Sequence, residues 1–276
     1  MKYSSRFFLY APLSVFGIFL IAVGVHWWLA ASHLSSRLDA VNGREIMPGV
    51  TLSFAAHRTT GFPFSLDTEF KDVTLTLAGP RGKTTWRTAE FAMHALTYGR
   101  DETIFEAAGP QKLSFTREGK ERALPFAVGA LRASANLKKD ALARFDLDLV
   151  GFGSKAFTAQ RLQFHLRRNG GDKLEVFAAA DDVRTPTGSC PRLGDGMTKL
   201  RFTGAFTQAG EFSSLLAGDQ NLAATMTGWR AAGGFFKSSD LKITKAAGLQ
   251  TALREIPAED FTSVEGVNQA FCGEAH

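Results

Sequence analysis

The sequence predicts a mainly β protein: an N-terminal transmembrane helix, then a large, antiparallel, curved β-sheet domain with short C-terminal helices. Three observations predict it. Phe7–Ala30 is a 24-residue stretch without Lys, Arg, Asp or Glu. From Val50 onward, apolar and polar residues alternate in short runs separated by turn residues. After Ala246 the apolar spacing lengthens to a helical one.

The apolar stretch comes first. As a helix it reaches about 36 Å, enough to cross a ~30 Å hydrocarbon core with some tilt. Pro12 and Gly17 would weaken a soluble helix, but such residues are tolerated in lipid. Trp27 and Trp28 mark the exit interface, because amphipathic indole rings favour the headgroup layer. Lys2 and Arg6 precede the span, and positive charge stays on the cytoplasmic side. Arg37, just past the exit, weakens this bias without reversing it. The reading is a bacterial inner-membrane protein with residues 1–6 cytoplasmic, 7–30 in the bilayer and the rest periplasmic. The rival reading is a cleaved signal peptide, which has an apolar core of about 7–15 residues and a small-residue cleavage site. This stretch is longer, and Trp27-Trp28 crowd the weak candidate site at Ala30-Ala31-Ser32.

Residues 31–45 read as a neck, with Leu34, Leu38 and Val41 at helical spacing and Asn42-Gly43 as the stop signal. Residues 46–245 read as the β-rich domain. Val50, Leu52 and Phe54 alternate with polar neighbours, as do Phe62, Phe64 and Leu66, and Val73, Leu75 and Leu77. The pattern recurs at Phe91–Ala95, Phe145–Leu149, Leu162–Leu166, Leu174–Val176, Leu200–Phe206, Leu222 with Met226, and Leu241–Ile243. Alternation of this kind puts apolar side chains on one face of a sheet. Turn signals separate the runs at Gly79-Pro80, Gly109-Pro110, Glu118-Gly119, Asn169-Gly170-Gly171 and Gly233-Gly234. A short similarity between Glu69–Leu75 and Phe236–Ile243 suggests a recurring hairpin unit. Residues 246–276 read as two short helices, Leu249, Leu253 and Ile256 lining the first and Phe261, Val264 and Phe271 the second.

Composition narrows the function. The chain holds 24 Phe against 3 Tyr, which favours apolar interior surface over a polar recognition surface. Two readings follow: a Phe-rich core, or an apolar groove that accepts lipid. Two of the five net positive charges lie before the span. Lys138-Lys139 and Arg167-Arg168 sit beside turn residues and form no basic stripe, so nucleic acid is not an expected partner. Cys190 and Cys272 make an even count in a compartment that permits disulfides. Bonded, they would close a loop of about 80 residues, a constraint of about 4–5 kcal/mol in the chain-entropy model; two free thiols are the alternative.

Catalytic patterns are not found. His57, His94 and His165 are isolated in strand-like runs, and neither a zinc-ligand spacing nor a nucleophile elbow occurs. Gly151-Phe152-Gly153 reads as a strand end rather than a phosphate loop. Asp146 and Asp148 point the same way, on the face opposite Phe145, Leu147 and Leu149, and read as wet sheet surface. Asp181-Asp182 reads as a loop. The expectation is no enzyme, no cofactor and no metal.

Trp27-Trp28, Gly61-Phe62-Pro63-Phe64, the Trp86–Phe91 run and Gly109-Pro110-Gln111 follow one another in that order from the membrane exit to about Phe115. On these motifs the chain resembles an uncharacterised group of alphaproteobacterial membrane-anchored proteins, the domain of unknown function 2125 family. Trp229–Gly234 leads into an Asp-Leu-Lys-Ile strand in a similar way. The resemblance implies a periplasmic β-rich domain without an assigned activity. More remotely, the chain resembles the long curved sheets of AsmA-like envelope proteins linked to lipid transport. Pro63 has a physical reading of its own: it offers no N–H to a ladder, so it belongs at a strand start or sheet edge, with Phe62 and Phe64 flanking it on one face as a rigid, apolar strand entry. The expected function is a non-enzymatic, membrane-tethered protein binding membrane lipid or a lipidated envelope component on its curved apolar sheet. The alternative is a scaffold that binds envelope proteins through sheet edges or the neck.

Overall fold

A computed structural model describes residues 5–79, 82–98, 102–117, 120–138, 141–169, 172–185, 196–216 and 222–244. Cys190, Cys272 and the helical stretch expected over 246–276 lie outside the described residues. One helix, α1 (Ser5–Val41), runs unbroken through the apolar stretch and the neck. It is long and apolar enough to cross a membrane, and no residue of its most apolar window is buried in the protein. Asn42-Gly43 ends it as expected, with Gly43 left-handed at φ 74°.

Among the described residues twelve strands follow in one antiparallel sheet. They are β1 (Arg44–Met47), β2 (Val50–Ser53), β3 (Ala56–Thr60), β4 (Ser65–Gly79), β5 (Gly82–Leu96) and β6 (Glu102–Arg117). Then come β7 (Lys120–Lys138), β8 (Ala141–Ser154), β9 (Thr158–Asn169), β10 (Lys173–Arg184), β11 (Gly196–Thr207) and β12 (Phe236–Thr244). From β4 to β12 each strand pairs with the next, a meander with β1 and β12 as its edges among the described residues. β2 and β3 share the outer edge of β4, one on each half, so together they act as one kinked strand. Between β11 and β12 the chain makes a 3-10 turn (Ala209–Phe212) and two helices, α2 (Ser213–Leu216) and α3 (Leu222–Ala231).

A crease crosses the sheet. β4, β6, β8 and β10 each carry one left-handed residue inside the strand: Asp72 (φ 51°), Gly109 (φ 77°), Gly151 (φ 64°) and Asp182 (φ 45°). The registers place these residues next to one another across the sheet, where ladder pairs are skipped or shifted. Bulged positions bend strands and increase local twist. On seven strands the period of two of the inward-facing residues is broken there by one step of three. The steps are Phe70 to Val73, Thr88 to Phe91, Val128 to Leu131, Leu149 to Phe152, Ala159 to Leu162, Ala180 to Val183 and Met197 to Leu200. The step flips the inward parity, so the same face stays apolar on both sides of the bend.

Burial follows the crease. Val128, Phe152, Ala159, Val183 and Met197 form one buried cluster along it. Phe54, Phe70 and Val73 form a second, with Leu38 of α1 packed against it. A third joins Leu174 of β10 to Ala209, Phe212 and Trp229, so the short helices plug one end of the apolar face.

Four local expectations are corrected. Leu222 and Met226 are helical, because Thr225 and Trp229, four apart, bury one face of α3. Gly109-Pro110 lies inside β6, where the left-handed glycine makes the crease and not a turn. Asp181-Asp182 belongs to β10, with Asp182 at the crease. Phe62–Phe64 form the β3–β4 turn, and the strand begins only at Ser65.

Candidate functional site

The apolar face is built row by row. Register pairing carries one row from Met93 through Phe105, Ala133, Leu147, Phe164 and Ala178 to Phe202. A parallel row holds Phe145, Leu166 and Val176. These side chains share a face because every strand places alternate residues on it. Between the crease and the helical plug the row is only half-buried: Phe105, Leu147, Phe164 and Phe202 keep solvent-exposed surface. Among the described residues no second sheet covers it. The site is an apolar trough with a buried floor at the crease and an open middle. Aromatic contacts line it, with Phe91 stacked on Phe105 at 5.8 Å and Phe145 lying 6.5 Å from Phe164.

The plug is fixed by glycine chemistry. Gly234 N–H donates to Trp229 O and Gly233 N–H to Arg230 O, the paired bonds of a Schellman cap with Gly233 at φ 77°. The Trp229 indole lies so close over Gly234 that a Cβ there would collide with the ring. Its N–H donates to Thr207 O at 2.7 Å, which ties α3 to the end of β11.

The opposite face is a charged ladder. Asp67, His94, Ile104, Ser134, Asp146, His165 and Phe177 form one cross-strand row. His94 Nδ1 lies 2.8 Å from Asp67 Oδ1, and His165 Nδ1 lies 2.5 Å from Asp146 Oδ1. Ser65 donates to Asp67 at 2.7 Å, and Ser134 donates to Asp146 at 3.3 Å. Burial alone would raise Asp67, but its hydrogen bonds from His94 and Ser65 prevail and hold it below the ordinary carboxylate value. Asp146 is likewise lowered: burial opposes ionisation, and His165 and Arg144 outweigh it. In both units the serine faces the carboxylate, not the imidazole. A nucleophilic serine needs its proton directed at the base, so neither unit activates one. Asp148, read as wet surface, is held by both Nε and Nη2 of Arg161 at 2.7 Å. Sequence reading treated His94 and His165 as isolated, because their Asp partners are distant in sequence and adjacent only through strand register. Among the described residues no group of three or more His, Cys, Asp or Glu is placed to hold a metal ion.

The motif residues fall into pairs. Trp27 N–H donates to Ser65 O at 2.8 Å, and its ring meets Phe62 edge-on at 5.6 Å. Phe62 and Phe64 are each 61% exposed. Gly61 is left-handed at φ 98°, and a Cβ there would collide with Ser65 and the Asp67 carboxylate. Trp86 N–H donates to the buried Gln111 at 2.8 Å, joining two motifs across β5 and β6. Trp28 is 62% exposed. A family model described as "Uncharacterized protein conserved in bacteria (DUF2125)" matches residues 27–252. No curated protein and no solved structure matches the chain.

Proposed function

The chain belongs to the DUF2125 family of uncharacterised bacterial proteins, and from that premise we propose that it is a non-enzymatic, membrane-anchored envelope protein whose open trough holds a lipid acyl chain. The reading places α1 in the inner membrane and the sheet in the periplasm. One observation carries it: the row Phe105–Leu147–Phe164–Phe202 is an apolar strip that stays only partly buried, without a covering layer among the described residues. Apolar surface left uncovered in this way suits a partner that is itself apolar. Phe lines such a strip without asking for hydrogen bonds, which suits a hydrocarbon chain.

The test is lipid retention. The full-length protein, extracted in mild detergent, is compared with Phe164→Gln by mass spectrometry after exhaustive washing. The wild-type protein is expected to keep a lipid that the variant loses, with unchanged circular dichroism. Equal lipid content in both proteins would reject the trough as its site.

A scaffold role is the second reading, and β1 favours it. This edge strand is exposed along its length, including Ile46 and Met47. An unpaired apolar edge is a template for an added strand. A photocrosslinker at Ile46 in cells should trap one dominant protein; lipid adducts alone would exclude that role.

A further inference from the structure

We propose that the Gly61–Phe64 turn and the Thr97–Tyr98 segment form an aromatic foot that sits in the headgroup layer of the bilayer entered by α1. The inference rests on the anchoring reading above. It concerns a surface separate from the trough.

The depth of the foot follows from helix geometry. Residues of α1 before Trp27 leave the domain, since none of the apolar window is buried and the helix meets the sheet from Trp27 onward. Ser5–His26 is 22 residues, about 33 Å of helix, close to the ~30 Å hydrocarbon thickness. Trp27 is therefore at the bilayer surface. From Trp27 to Asn42 the helix runs beside β3, about 22 Å at 1.5 Å per residue. From Ser65 to the crease at Asp72, β4 covers about 23 Å. The two lengths agree: Trp27 is bonded to Ser65 O at one end, and at the other Asn42 is bonded to Phe54 N–H and O, whose neighbour Ala55 donates to Lys71 O beside Asp72. The neck thus holds the Ser65 end of the sheet at the level of Trp27.

That end is apolar where a solvated turn would be polar. Phe62 and Phe64 are 61% exposed, Leu96 is 46% exposed and Tyr98 72%. The two turns are clamped together, because Thr97 donates both its backbone N–H (3.0 Å) and its hydroxyl (3.1 Å) to Phe64 O. Rings with one apolar and one wet end favour the membrane interface, and Tyr98 supplies a hydroxyl for the headgroups. A protein partner would not need the patch to lie at the helix exit; a bilayer requires it there.

The experiment uses the full chain in vesicles of phosphatidylethanolamine and phosphatidylglycerol. Benzoylphenylalanine replaces Phe64, Phe19 in the span, or Lys155 in the exposed turn between β8 and β9, one at a time. After irradiation, lipid adducts are read by mass. Adducts at Phe19 and Phe64 but not Lys155 are the expected result. An adduct at Phe19 without one at Phe64, or adducts at all three positions alike, overturns the foot and leaves the anchor standing. No adduct at Phe19 overturns the anchor and the foot together.

Discussion

Trp27 donates its indole N–H to the carbonyl of Ser65, 38 residues downstream, at 2.8 Å. The bond joins the helix to the first long strand at the Phe62–Phe64 turn. Trp27→Phe keeps the ring against Phe62 and removes only the donor. The expected cost is about 1 kcal/mol in global stability, with faster amide exchange at Gly61–Ser65. Unchanged exchange there would mean that the neck does not hold the turn.

The crease makes a sharper prediction. Gly151 is left-handed and Gly153, two residues on, is not. An added Cβ at Gly153 meets nothing within 4 Å. Gly151→Ala should therefore lower stability by about 1–2 kcal/mol, measured as the urea midpoint, while Gly153→Ala stays near wild type. Equal effects would contradict a backbone origin.

The plug depends on Gly234. Gly234→Ala must push the Trp229 ring off its seat against Phe206 and Phe212. The expected loss is about 1–3 kcal/mol, with a red shift of Trp229 fluorescence as the indole meets water. Gly210→Ala, where the nearest atom to a new Cβ is 3.5 Å away, is the control.

Acid stability should track the two Asp–His units. Asp67 and Asp146 both ionise below the ordinary carboxylate value. A carboxyl lowered on folding contributes stability that is complete above its unfolded value of about 3.9 and is lost as pH falls through the lowered native value. The wild-type melting temperature should thus fall below about pH 4. The double variant Asp67→Asn, Asp146→Asn should show a flatter curve in that window and little difference in slope above it. Parallel curves would show that these carboxylates are not linked to folding.

Much of this architecture was legible in the residue order. The uncharged Phe7–Ala30 run and the Asn42-Gly43 stop read directly as one helix, because they are local signals. The antiparallel sheet was visible in the period of two. The crease was present too, as the step of three from Phe70 to Val73 and its counterparts, but a single such step looks like noise until seven align through register. Gly109-Pro110 misled because left-handed glycine serves turns and bulges alike. Leu222 and Met226 misled because Trp229, the residue that sets the helical face, was assigned to a motif of its own. The His–Asp units were hidden, since a cross-strand pair leaves no trace at fixed spacing. The trough could be suspected from the excess of Phe, but whether anything covers the rings depends on layers, which alternation does not encode.

The meander also bears on how the molecule is put together. From β4 onward every strand is paired with the one made just before it. No segment has to wait for a distant one, so the sheet can be laid down in the order of synthesis, each hairpin docking on a finished edge. The growing front then moves steadily away from α1, and at every stage only one of the sheet's two open edges is still receiving strands.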